Sequence, residues 1–187
     1  SGFDVLEAFM QRLPDTLLLA FTATLWAVGL GIPIGIFAAV RQYRLFDYGS
    51  MVVAMLLFAM PSFWLAILCQ ILFCLTLHWL PATGVGSFSH FILPALVLGA
   101  NTLASMIRMS RTSMLDVLRQ DFIRTARAKG ASRGSAIFRH AVANSLVPVI
   151  TQTGISFAGC IGGAVVTESI FTIPGIGSML INAVKSR

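Results

Sequence analysis

Two stretches of this chain run longer without a charge than a water-soluble domain allows. Thr16–Val40 covers 25 residues and Gly49–Leu77 covers 29 with no Asp, Glu, Lys or Arg. The first would measure roughly 37 Å as a helix, enough to cross a hydrocarbon core of ~30 Å with some tilt. The second is longer than a span needs and holds Pro61 well inside, which predicts a tilted or kinked crossing. Phe91–Ile107 supplies a third apolar run, with Pro94 in its first turn, and about Ser145–Thr167 a fourth, with Pro148 near its start. The composition agrees. Of 187 residues, 57% are hydrophobic and 11% charged, against roughly 25% charged in soluble domains. Disorder is excluded on the same grounds. The expected fold class is an all-α membrane protein of about four spans, folded as a single domain over residues 1–187.

Shorter signals fill the gaps. In Phe3–Leu13 the residues Leu6, Phe9, Met10 and Leu13 share one helical face, which suits an amphipathic helix lying in the interface. Pro14 should end it, and Asp15 should cap the first span. Trp79-Leu80-Pro81 reads as an interfacial end, followed by a short Gly-rich loop from Ala82 to His90. Cys69, Cys74 and Cys160 all lie in apolar runs and read as small hydrophobes. His78 and His90 lack metal-ligand spacing, and no metal site is expected. The chain begins Ser1-Gly2 without a Met, as expected of a core fragment of a longer protein.

Charge placement gives an orientation. Arg108–His140 carries eight basic residues against Asp116 and Asp121, whereas the 81–90 loop carries no formal charge. The Arg41–Tyr48 loop adds a net +1 and residues 1–15 a net −2. The positive-inside rule then puts 41–48 and 108–140 in the cytoplasm, with both termini and 81–90 outside.

Small residues recur at four-residue spacing. Gly31 and Gly35 share a face of the first span, with Pro33 between them to bend it; Gly154, Ala158 and Gly162 share a face of the fourth. Such faces let helices approach closely, as static packing within one subunit, as a moving interface or as a path lining. Ionisable residues inside the spans are nearly absent, Glu168 at a span end being the exception. That counts against an ion-coupled carrier or a channel with charged rings. Gln70, Asn101, Asn144 and Gln152 read as interhelical hydrogen-bonding residues or substrate contacts.

The basic segment is patterned. Arg108–Lys129 reads as one helix with Leu115, Leu118 and Phe122 on one side. Asp116 could pair with Arg119, and Asp121 with Arg124, at i+3. Gly130 falls where a C′ glycine would end that helix, and Ser132 where an N-cap would start a second one over Arg133–Asn144. Residues 108–144 thus form a helical corner, available to a protein partner or resting on anionic lipid.

Asp121-Phe-Ile-Arg-Thr-Ala-Arg-Ala-Lys-Gly-Ala-Ser132, with Phe138-Arg-His-Ala-Val-Ala-Asn-Ser-Leu-Val-Pro148, resembles the coupling loop of ABC importer permeases of the dipeptide, oligopeptide and nickel branch. The acidic residue of the general family pattern is replaced: Arg124, Thr125 and Ala126 stand before Gly130. Met60-Pro-Ser-Phe-Trp-Leu65, Trp79-Leu-Pro81, Ile92-Leu-Pro94, Arg111-Thr-Ser-Met-Leu-Asp-Val117 and Glu168-Ser-Ile-Phe-Thr-Ile-Pro-Gly-Ile-Gly177 look like the same branch in the same order. The resemblance implies a MetI-like transmembrane helix bundle in the cytoplasmic (inner) membrane. It implies peptide import by alternating access, with nickel or metal-chelate import as the alternative. Implied partners are a second permease, two cytoplasmic ATPase subunits, an extracytoplasmic substrate-binding protein and the lipid bilayer, with no nucleic acid. The chain has no Gly-x-x-x-x-Gly-Lys-Ser/Thr loop, so it is not expected to be an enzyme or to bind a cofactor; ATP and Mg would sit on the partners. Arg124, Thr125, Ala126, Arg127, Ala128, Lys129, Gly130, Ala131 and Ser132 would enter a groove on the ATPase. A secondary transporter and a non-transporting scaffold remain the competing readings.

Overall fold

A computed structural model describes residues 5–84 and 88–185. The described residues form helices and connecting turns, with no strand among them. In chain order these are α1 (Val5–Val40), α2 (Leu45–Ala59), α3 (Ser62–Cys69, continued as a wider π-type turn over Gln70–Thr76) and α4 (Phe88–Leu118). Then follow α5 (Asp121–Ala128), α6 (Arg133–Ser135, continued as a π-type turn over Ala136–Ala141), α7 (Val142–Phe171) and α8 (Ile176–Lys185). Among the described residues three helices are long and apolar enough to cross a membrane, Val5–Val40, Phe88–Leu118 and Ala136–Phe171; a bent pair, Leu45–Ala59 with Ser62–Thr76, makes up to four.

Three expectations are corrected here. The amino-terminal residues do not form a helix of their own. From Val5, α1 runs unbroken through Pro14, so Leu6, Phe9, Met10 and Leu13 begin the first span instead of preceding it; Phe3 and Asp4 lie outside the described residues. A proline removes one N–H, and within a long apolar helix that single loss does not outweigh the remaining ladder. The second apolar run is broken, not merely kinked. Its halves meet at 104° around Met60-Pro61, where Pro61 adopts an extended conformation and its carbonyl receives the amides of Trp64 and Leu65. The helix expected over Arg108–Lys129 stops at Leu118 and restarts at Asp121. Of the Ala82–His90 loop, residues 85–87 lie outside the description.

The chain packs as two compact units. One contains the described residues of Ser1–Trp26, Met60–Ala100 and Ser156–Arg187. Its core joins Leu19, Ala20 and Ala23 of α1 with Ala66, Leu93, Val97, Cys160, Ala164 and Phe171. Cys74 and Cys160 are buried in it and Cys69 packs against it. Gly99 lets α4 close on α1, since a Cβ there would lie 2.6 Å from both the Ala23 carbonyl oxygen and Trp26 Nε1. Trp26 Nε1 donates to the Ala95 carbonyl at 2.8 Å, so the indole's one polar atom is satisfied. Gln70 Nε2 donates to the Ala82 carbonyl at 3.0 Å, a packing role.

The other unit comprises Ala27–Ala59 and Asn101–Ile155. Here Gly31 and Gly35 sit against α4. A Cβ on Gly31 would lie 2.5 Å from Met106 Cβ, and one on Gly35 would lie 2.5 Å from the Ile107 carbonyl oxygen and 2.7 Å from Ser110 Cβ. This glycine face is therefore a close contact between α1 and α4 within the chain.

Candidate functional site

The corner between α4 and α7 is built by local rules. After Leu118 the chain turns, with Arg119 N donating to the Asp116 carbonyl and Gln120 N to that of Val117. Gln120 is extended, and α5 starts afresh. The restart resets the helical phase. A continuous helix would have placed Phe122 beneath Leu115 and Leu118; instead Phe122 is 39% exposed and Ile123 only 5%. Ile123 packs with Ala39, Met114, Val117 and Ala141, which roots α5 in the same unit. Burying one isoleucine contributes roughly 1.5–3 kcal/mol, enough to hold an eight-residue helix that is too short to stand alone.

The carboxyl end of α5 is a Schellman motif. Ala131 N donates to the Ala126 carbonyl at 3.1 Å and Gly130 N to the Arg127 carbonyl at 3.0 Å, with Gly130 at φ +91°. The position expected from sequence for a C′ glycine is the one observed. Ser132 caps the next helix as expected, its Oγ accepting from Ser135 N at 3.3 Å. That helix does not end at Asn144, however. Through its π-type turn it runs straight into α7, while Asn144 Nδ2 donates back to the His140 carbonyl.

The nine residues singled out from sequence therefore lie on one short helix and its exit turn. Arg124, Thr125, Arg127, Ala128, Lys129, Gly130 and Ser132 are exposed, and Ala126 and Ala131 partly so. Arg124 meets Asp121 at 3.9 Å, but both side chains are open to solvent and the pair contributes little. The outward face thus carries a cationic surface on a rigid base.

Of the small-residue positions, the structure separates two groups. Gly31 and Gly35 are filled by α4 as described. Gly154, Ala158 and Gly162 are exposed on α7, and a Cβ on Gly154 or Gly162 would meet nothing within 4 Å.

Two buried carboxylates have partners that the sequence does not reveal. Asp47, in the first turn of α2, is 1% exposed and holds Arg111 of α4 through two bonds, Nε to Oδ1 and Nη2 to Oδ2, the latter at 2.8 Å. Asp47 Oδ2 also accepts Tyr43 N at 3.0 Å, which fixes the 41–44 turn, where Tyr43 has φ +64°. Glu168 is fully buried. Its carboxylate accepts Thr16 Oγ1 at 2.6 Å, Gly177 N at 2.8 Å and Ser178 N at 3.2 Å, while Thr16 Oγ1 accepts Ile176 N at 3.0 Å. Three orphan amides at the start of α8 are thereby satisfied. This explains the glycines of the Glu168–Gly177 stretch: a Cβ on Gly175 would collide with the Glu168 carboxylate, and one on Gly177 with Val165. Glu168 is thus a structural cap for α8 and not an isolated charge.

Comparison with known proteins accords with this architecture. The family described as binding-protein-dependent transport system inner membrane component matches residues 31–187. The oligopeptide transport system permease protein AppB of Bacillus subtilis (strain 168) is 40% identical over all of this chain and 62% of its own length. The glutathione transport system permease protein GsiC of Escherichia coli (strain K12) is 40% identical over 98% of this chain and 60% of its own length. The chain therefore spans about three fifths of the length of these relatives. Among solved structures, the inward-facing MetNI methionine ABC transporter aligns with a TM-score of 0.73 at 14% identity, covering 96% of this chain and 81% of that one. An amino acid ABC transporter with histidines aligns at 0.69 and 15%, covering 98% and 81%. The all-helical fold is that of MetI-like ABC transporter permeases. With 157 of its residues matched and relatives 40% identical along essentially its whole length, the chain belongs to the binding-protein-dependent transport system inner membrane components.

Proposed function

We propose that this chain forms the core of a permease subunit that moves peptides across the cytoplasmic membrane by alternating access, driven by a separate ATPase. The observation that carries this reading is α5: a short, solvent-facing cationic helix, rooted through Ile123 and closed by Gly130. The relatives' names specify oligopeptide and glutathione, itself a peptide. A part that transmits force must be stiff. The Schellman turn and the buried Ile123 make α5 move with Met114 and Val117 of α4, so a push on the outer face shifts the helix end beneath it.

In this reading 108–144 faces the cytoplasm, Arg124–Ser132 docks in a groove of one of two ATPase subunits, and ATP and Mg are bound there. The exposed face of Gly154, Ala158 and Gly162 meets a second permease or lines the path between the two. A substrate-binding protein delivers peptide on the opposite side.

The test is charge reversal on exposed positions, Arg124→Glu with Lys129→Glu, in the full-length permease. Capture of the ATPase during co-purification should fall at least about tenfold, together with peptide uptake, because like charges now face the groove. Unchanged capture and uptake would sink the docking role. Gly130→Pro gives a second arm. Proline cannot adopt φ +91°, so the exit turn should be lost and capture with it.

A further inference from the structure

The 41–44 turn and the end of α4 line an open-sided cavity of about 560 Å³ that the transport reading leaves unused. Three arginines line it, Arg41, Arg44 and Arg119, and no acidic residue does. Of the acids on these two segments, Asp47 is buried and already bonded to Arg111, and Asp116 is exposed on α4 outside the lining. The rest of the wall includes Val40, Leu115 and Leu118. Three cations beside an aliphatic wall describe the headgroup end of an amphiphile: a phosphate for the guanidinium groups and methylenes for the leucines.

The turn is built before any ligand arrives. Asp47 accepts the Tyr43 amide, Tyr43 takes the left-handed conformation, and Arg41 lies over the Phe37 ring at 4.2 Å. The turn backbone and Arg41 are therefore ordered in advance, which lowers the entropic cost of binding. We propose that this cavity binds the phosphate of an anionic phospholipid, with the acyl chain running along Val40, Leu115 and Leu118. The bound lipid bridges the α1–α2 turn and the end of α4, directly before the break that leads to α5. The site does not depend on what the permease carries.

The full-length permease, purified and delipidated, is titrated with phosphatidylglycerol or phosphatidylcholine and read by native mass spectrometry. Phosphatidylglycerol should be retained and phosphatidylcholine not. The R41A/R44A/R119A variant should weaken phosphatidylglycerol binding by about 100-fold, since each arginine near an anionic lipid contributes several-fold. A control that removes three cations elsewhere, R12A/R139A/K185A, should change it little. Equal loss in both variants would mean general surface charge and overturn the proposal, as would equal retention of phosphatidylcholine. Displacement of the lipid by excess inorganic phosphate would assign the site to a free anion and overturn it too. Should the triple variant fail to fold, Leu115→Trp fills the cavity without changing charge; unaltered binding there would likewise refute the site.

Discussion

Gly31 and Gly35 on α1 carry the same four-residue spacing as Gly154, Ala158 and Gly162 on α7, yet their surroundings are opposite. The first pair is closed by α4, so tightly that a single added carbon would overlap Met106 or the Ile107 carbonyl. The second set faces outward with nothing against Gly154 or Gly162. Spacing alone says that a face can be approached closely; it does not say by what. In the first case the chain supplies the partner. In the second the described residues supply none.

Substitutions can break or sharpen that contrast. The largest effect is expected for Gly35→Leu, which forces a side chain into the backbone of Ile107 and Arg111. Loss of more than about 4 kcal/mol of stability is expected, seen as failure to recover folded protein or a collapsed unfolding midpoint. Arg111→Ala asks whether the closed face is held by close approach alone. It leaves the Asp47 carboxylate buried without its partner and should cost about 3 kcal/mol by denaturant titration in micelles. A neutral result would mean that the glycine contact suffices. Gly130→Ala separates room from conformation. Nothing lies within 4 Å of the new Cβ, so any cost comes from φ +91°, about 1–2 kcal/mol, with reduced uptake. Smallest is Gly154→Ala with Gly162→Ala, where helix propensity should raise stability by up to about 1 kcal/mol per site. Uptake or permease pairing should nevertheless fall; wild-type uptake would leave the open face without a role in transport.

Much of this was legible in the sequence because it is local. Apolar run length gave the spans, and Gly130 and Ser132 announced the corner through their capping chemistry. What was missed falls into two kinds. The break at Arg119-Gln120 has no glycine or proline to mark it, so periodicity carried the helix through and put Phe122 where Ile123 belongs. Conversely, Pro14 looked like a stop and was absorbed, while Pro61, read as a kink, marks a 104° break. The second kind is long-range. Asp47 and Arg111 are 64 residues apart, and no spacing rule joins them. Glu168 was visible as an isolated acid, but its cap needs Thr16 and the start of α8, which only tertiary structure brings together.

That knot has a consequence for biosynthesis. Thr16 and Glu168 are separated by 152 positions in the chain. At ~5–20 residues per second, the ribosome delivers the acid roughly 8–30 s after the threonine. α1 therefore waits with the Thr16 hydroxyl lacking its final acceptor until Glu168 and the start of α8 have been made. A translational pause or early release before residue 168 would leave a nascent chain in which α1 can pack on α4 through its glycine contacts but Thr16 has no acid to hold.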